Sequence, residues 1–152
     1  MKLAEALMLR ADIQKKLASL RSRIGQNAVV QDGDEPHEDP QKLLDEAVSV
    51  LSELESLVIR VNQANQQHKL PDGRTLTEAI ARRGTLTARH SLLQHAIENS
   101  SKEPDRYSMK EIKWVATLKV ERLQKQSEDL AKQIRELNAA IQETNWKVEL
   151  EE

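Results

Sequence analysis

From Val120 to Val148 the chain repeats seam residues with a period of seven. Val120, Ser127, Ile134, Ile141 and Val148 fall on one position of the repeat, and Leu123, Leu130, Leu137 and Thr144 on the other. An average spacing near 3.5 suits a helix and excludes a strand, whose side chains change face at every residue. Mostly β-branched residues at the first position, with leucine at the second, form the pattern of two-stranded helical packing. Within a bundle the same seam packs against sister helices. The stretch RELNAAIQETNW, residues 135–146, lies on this seam, so Leu137, Ile141 and Thr144 read as packing positions. Aliphatic residues must supply the partners as well, because the chain has no phenylalanine and its aromatics are Tyr107, Trp114 and Trp146.

The earlier segments carry the same signal. Leu3, Leu7, Ile13, Leu17, Leu20 and Ile24 recur at helical spacing over residues 2–25, and Gly25 is the expected stop. A short β-branched piece, AVVQ (28–31), and an acidic loop, DGDEPHEDP (32–40), follow. Asp39 before Pro40 pairs an N-cap with proline at the first helical position. The second helix then runs to about Asn65 on Leu44, Ala47, Leu51, Leu54, Val58 and Val61, with Leu43, Val50 and Leu57 widening the stripe. Such breadth predicts contact with more than one neighbour. LPDGRTLTE (70–78) reads as a turn, with Thr75 and Glu78 as a capping box for a third helix over 76–99. Its inward positions are Leu76, Ala79, Ile80, Leu86, Leu93 and Ile97.

Residues 111–118 carry conflicting signals. Ile112, Trp114, Ala116 and Leu118 alternate in a β-branched context, which predicts a short strand pairing with 28–31. The alternative, from Ser108 and Glu111 as a capping box, is a last helix that begins before Val120. The expected fold is therefore mainly α: a four-helix antiparallel, coiled-coil-like bundle in one helical domain (1–152), with a two-stranded β element at 28–31 and 111–118.

Composition excludes several classes of function. Of the 152 residues, 32% are charged and 38% hydrophobic, with a net charge of −2, which is not the balance of a chain seeking nucleic acid. Without cysteine there is no disulfide scaffold, thiolate zinc site or cysteine nucleophile. Glu5, Arg10 and Asp12 interrupt the N-terminal apolar run, and no uncharged stretch approaches the ~20 residues of a membrane span. The cytoplasm is the expected location. None of His37, His68, His90 and His95 follows a glutamate by three residues, so the di-metal pattern of helix bundles is missing and neither metal nor cofactor is expected. The acidic loop lacks the ligand alternation of a calcium loop, and four dispersed glycines build no phosphate cradle. No catalytic constellation emerges.

Polar residues on apolar stripes remain. Arg10 lies between Leu3 and Leu17 in the heptad count, Arg83 and His90 between Leu76 and Ile97, and Asn65 closes the second stripe, with Asn62 a turn earlier. Interior guanidinium groups need partners, and Glu5, Glu53, Glu121 and Glu128 are the candidates. A structural ion-pair network is the simpler reading. The alternative is a small-anion or metabolite site built on Arg10, Asn62, Asn65, Arg83 and His90.

The segments RVNQANQQHKLPDGRTLTEAIARR, RYSMKEIKW and RELNAAIQETNW, together with RIGQNAVVQDGDEP, resemble a septicolysin-like family of small, mostly helical bacterial proteins of unassigned function. The resemblance spans nearly the whole chain, with departures at Gly84 and Ala64. It implies a helical, oligomeric protein and carries no active site. Its label suggests a cytolysin, yet the chain has no amphipathic segment with a basic polar face and bulky aromatic anchors. The sequence thus points to a protein that associates with itself, as a dimer or higher homo-oligomer, and serves as an interaction or scaffold protein.

Overall fold

The computed structural model describes residues 1–101 and 112–151. Among them are four helices, α1 (Leu3–Asn27), α2 (Pro40–Gln67), α3 (Leu76–Asn99) and α4 (Val120–Lys147). The fold class is the expected one, mainly α with four helices. Contacts divide the chain into two compact units, Met1–Leu76 with Gln142–Glu152, and Thr77–Ile141.

In the first unit α1 and α2 lie antiparallel. Lys16 pairs with Glu46 at 3.1 Å, and seven residues later on α1 the Arg23 Nε donates to Glu38 Oε2 at 2.9 Å, so positions rise on one segment as they fall on the other. Leu20, Leu43 and Val50 form the buried heart of this pair, with Ile13, Leu17, Ile24 and Ala47 packed around it. The hydrogen bonds from Arg23 hold the Glu38 carboxyl below the usual glutamate range.

Local chemistry sets the ends of these helices. The Lys2 backbone N–H donates to Glu5 Oε2 at 2.7 Å, which satisfies an otherwise orphan donor before α1. The expected stop at Gly25 does not occur, and α1 continues to Asn27. The Asn27 side chain explains the extension: its Nδ2 donates to the Arg23 carbonyl at 2.8 Å and its Oδ1 accepts from the Glu38 N–H at 3.0 Å. This buried amide closes the helix, and no left-handed glycine is required there. Asp39 and Pro40 behave as the sequence predicts, with Asp39 Oδ1 accepting from the Gln41 N–H at 2.9 Å.

The turn before α3 is a tight hairpin. Gly73 N–H donates to the Leu70 carbonyl at 3.0 Å, Leu70 N–H to the Arg74 carbonyl at 2.8 Å, and Lys69 bridges Thr75. Gly73 takes a φ of 89°, a left-handed conformation that closes a three-residue loop at no steric cost to glycine.

In the second unit α3 and α4 also run antiparallel. Arg83 donates to Asn138 Oδ1 at 2.8 Å, and Gln94 donates to the buried Ser127 Oγ at 2.6 Å. Every heptad seam position from Val120 to Val148 is buried or half-buried, as the repeat predicts.

Two further expectations are corrected. The β element at 28–31 and 111–118 does not form: 28–31 and 112–118 have neither strand nor helix assignment, and 111 lies outside the described residues. Among the described residues the only β pairings are isolated bridges, Lys2 with Glu149 and Lys69 with Thr75. Alternation alone could not hold 112–118 in a sheet without a partner edge to satisfy its backbone. The second correction concerns the face of α2. Leu43, Val50, Leu57, Val61 and Ala64 are the buried positions, whereas Leu44 and Leu51, expected at the centre of the stripe, are exposed.

Leu20 is 1% exposed at the centre of the α1–α2 seam. Leu20→Ala is expected to cost about 2–5 kcal/mol of unfolding free energy, read as a lower urea midpoint at unchanged m-value.

Candidate functional site

The sequence-derived ligand residues are spread along three helices. Arg10, on α1, and Asn65, on α2, are half-buried, and Asn62 is exposed. These three belong to the first unit, while Arg83 and His90 are half-buried on α3 in the second. Arg10 forms no ion pair among the described residues. Of the expected carboxylate partners, Glu5 is taken by the Lys2 N–H. Arg83 is held by the neutral amide of Asn138, a partner that no charge-pairing rule would have suggested. Both guanidinium groups keep contact with water, so neither faces the desolvation penalty that would have forced an ion-pair network.

A feature with no signature in the sequence pattern lies where the first and last described residues meet. Leu3 N–H donates to the Val148 carbonyl and Leu150 N–H to the Met1 carbonyl, each at 2.9 Å. Glu149, across from Lys2 in this bridge, receives the Lys2 Nζ at 2.5 Å and the Met1 amine at 3.2 Å. The hydrogen bond from Lys2 and that from the amine hold the Glu149 carboxyl below its ordinary range. The Arg60 Nε donates to the Glu151 carbonyl at 2.9 Å and ties the same tail to α2. Only short-range alternation could have betrayed this clasp, and two paired residues are too few to register.

Beside the clasp is an open groove of about 510 Å³ lined by His68, Lys69, Leu70, Glu143, Lys147 and Glu149, among others. Its chemistry is largely committed, since Lys147 pairs with Glu143 and Glu149 with Lys2. The groove therefore lacks the surplus positive charge and the apolar enclosure of a small-anion pocket. Nearby in sequence Asn145 is 4% exposed, and its Oδ1 has no hydrogen-bond partner.

Two further exposed surfaces are apolar. Leu44, Val48, Leu51 and Ile59 on α2 remain 46–56% exposed. Their spacing of about three to four residues, or twice that, places them on one helical stripe, roughly a third of a turn from the buried one. Glu55 sits within that stripe. A second apolar surface is the segment IKWVATL (112–118), where Ile112, Trp114, Val115 and Leu118 are 49–80% exposed. Among the described residues no helix is long and apolar enough to cross a membrane, and no three His, Asp or Glu side chains gather as metal ligands.

Residues 10–150 match a family described as "Family of unknown function (DUF6847)". A functionally unknown conserved protein from Corynebacterium diphtheriae, known from a crystal structure, is similar to this chain over 99% of both chains, with 34% identity and a TM-score of 0.93. No curated protein matches.

Two outcomes are expected at the tail. Because the Glu149 pKa is depressed in the folded state, the clasp contributes stability above the usual glutamate pKa and loses it as pH falls through the lowered value. The Leu3 and Leu150 amide NMR shifts should titrate with a midpoint below that of an ordinary glutamate, and Glu149→Gln should abolish the transition. At Asn145, the near-isosteric Asn145→Leu should be neutral or stabilising by up to about 1–2 kcal/mol in urea unfolding, since it removes a buried acceptor that has no donor.

Proposed function

Since the chain belongs to the family of unknown function DUF6847, we propose that it works by association, as a helical interaction protein that binds copies of itself. One observation carries this reading: α2 has two apolar stripes, and the stripe of Leu44, Val48, Leu51 and Ile59 is left half-exposed. Scattered exposed aliphatics are ordinary on a soluble surface. A line of half-exposed aliphatics along four turns of one helix, interrupted at Glu55, is the kind of patch that marks an interaction site. Catalysis has less support, because the polar groups of the open groove are largely spent on each other and the interior-stripe residues Arg10, Asn62, Asn65, Arg83 and His90 are distributed over the two units.

Association is tested by light scattering coupled to size exclusion across micromolar to submillimolar concentration. A mass above one chain that rises with concentration is expected, and a strict monomer throughout would end the proposal. Leu51→Asp should weaken association by at least about tenfold, or ~1.4 kcal/mol, while moving the urea midpoint little, because the side chain is half-exposed in the folded chain.

A further inference from the structure

We propose that two copies dock stripe to stripe: their α2 helices pack antiparallel about a two-fold axis beside Leu51, and Arg10 of each copy pairs across it with Glu55 of the other. The inference rests on the self-association reading and specifies its contacts.

The register of α1 on α2 places these residues. Ile13 and Leu20 run down the middle of the α1 face, with Leu17 and Ile24 along one edge and Lys16 and Arg23 along the other. On α2 the middle is Leu43, Val50 and Leu57, and Glu46, which takes Lys16, marks one edge. Leu44 and Leu51 each follow a middle residue by one position and so turn about 100° toward the opposite edge, with Val48 and Glu55 just beyond them. Arg10, seven residues before Leu17, stands on that same opposite edge of α1. Because the helices are antiparallel and Lys16 is level with Glu46, Arg10, six residues earlier on α1, is level with Ser52, six residues later on α2. Arg10 thus flanks the exposed stripe at its midpoint.

Charge selects a second copy as the occupant. Neither Arg10 nor Glu55 is ion-paired among the described residues. A face that holds an acid within its apolar line and a base at its edge meets its own complement when turned through a half-circle. A parallel arrangement would instead set Glu55 against Glu55. With the axis at the midpoint of the stripe, between residues 51 and 52, antiparallel packing holds the two Glu55 side chains ~10 Å apart along the helices, at a rise of 1.5 Å per residue. It places Glu55 of the second copy ~6 Å along the axis from the level of Arg10, a rise that an arginine side chain spans. Val48 then lies opposite Glu55, Leu44 opposite Ile59, and Leu51 beside its own counterpart. Asp45, at the outer rim of this face, comes level with Val58 of the other copy, so no two carboxylates oppose each other.

The area is that of a reversible dimer. Leu44, Val48, Leu51 and Ile59 are 46–56% exposed. They offer on the order of 400 Å² of accessible surface, and the polar Arg10, Ser52, Glu55 and Asn62 raise the face to roughly 600 Å², so two faces bury roughly 1,200 Å², the lower end of stable, specific interfaces.

Two experiments on the full-length chain test the arrangement. The chain has no cysteine, so a single Leu51→Cys can form a disulfide only with a second copy. Mild oxidation should crosslink Leu51→Cys, whose counterpart lies beside the axis, and should leave Leu44→Cys uncrosslinked, because its counterpart is ~22 Å away along the helix. The second experiment reverses charge. Arg10→Glu and Glu55→Arg each set like charges across both symmetry-related contacts, and each should weaken its own dimer by at least about tenfold while circular dichroism shows the helical spectrum retained. Mixed in equal amounts, the two variants should form a heterodimer of wild-type strength. There the two reversed side chains attract each other, and the native Arg10 of one variant meets the native Glu55 of the other. A contact between Arg10 and Glu55 inside one chain would leave both variants like-charged after mixing, with no recovery.

A wild type that stays monomeric at every concentration overturns both this inference and the broader reading. A dimer in which Leu51→Cys fails to crosslink, or in which Leu44→Cys crosslinks as readily, overturns the antiparallel arrangement alone and leaves self-association to another geometry. Charge-reversed variants that dimerise as well as the wild type, or that fail to recover on mixing, likewise overturn this inference alone.

Discussion

Leu20, Leu43 and Val50 meet where α1 and α2 lie side by side, and this small aliphatic contact decides what the rest of α2 can do. A helix turns its side chains through a full circle every 3.6 residues, so a single antiparallel neighbour covers one stripe and leaves the others in water. Once Leu43, Val50, Leu57 and Val61 are committed to the interior, Leu44, Val48, Leu51 and Ile59 must face elsewhere. The exposed stripe is thus a geometric consequence of how the buried one is satisfied.

Much of the architecture could be read from side-chain period. The seven-residue repeat from Val120 placed α4 and its seam correctly, and Asp39–Pro40 marked the start of α2, because caps act within a few residues of the backbone they satisfy. The failures share a cause: each depended on a partner distant in sequence. Gly25 looked like a helix stop until the Asn27 amide found the Glu38 N–H. Residues 112–118 had the alternation of a strand but no edge to join among the described residues. The breadth of the second stripe was legible, but which half faced α1 was not, because Leu43 and Leu44 are adjacent and equally apolar.

The candidate site was less legible than the fold. Arg10, Arg83 and His90 stood out because charge on an apolar stripe is unusual, yet half-exposure removes the need for a buried counter-ion, and a neutral amide, Asn138, suffices for Arg83. Buried polar groups proved to lie elsewhere, at Asn27, Ser127, Thr144 and Asn145. Two of these, Ser127 and Thr144, occupy heptad seam positions, where a single hydroxyl in an aliphatic line is easily passed over. Ser127 meets Gln94, so a polar contact is built into the α3–α4 seam, where it can fix the register of two otherwise slippery leucine faces.

The bridge between Lys2 and Glu149 joins residues almost as far apart in the chain as any two can be. Closing so long a loop before the helices are in place would sacrifice chain entropy for two backbone hydrogen bonds and an exposed ion pair. Such a latch closes late, after local contacts have drawn its halves together, and belongs to the last stage of folding. Its strength therefore governs how readily the finished molecule comes undone and has little influence on the speed of assembly.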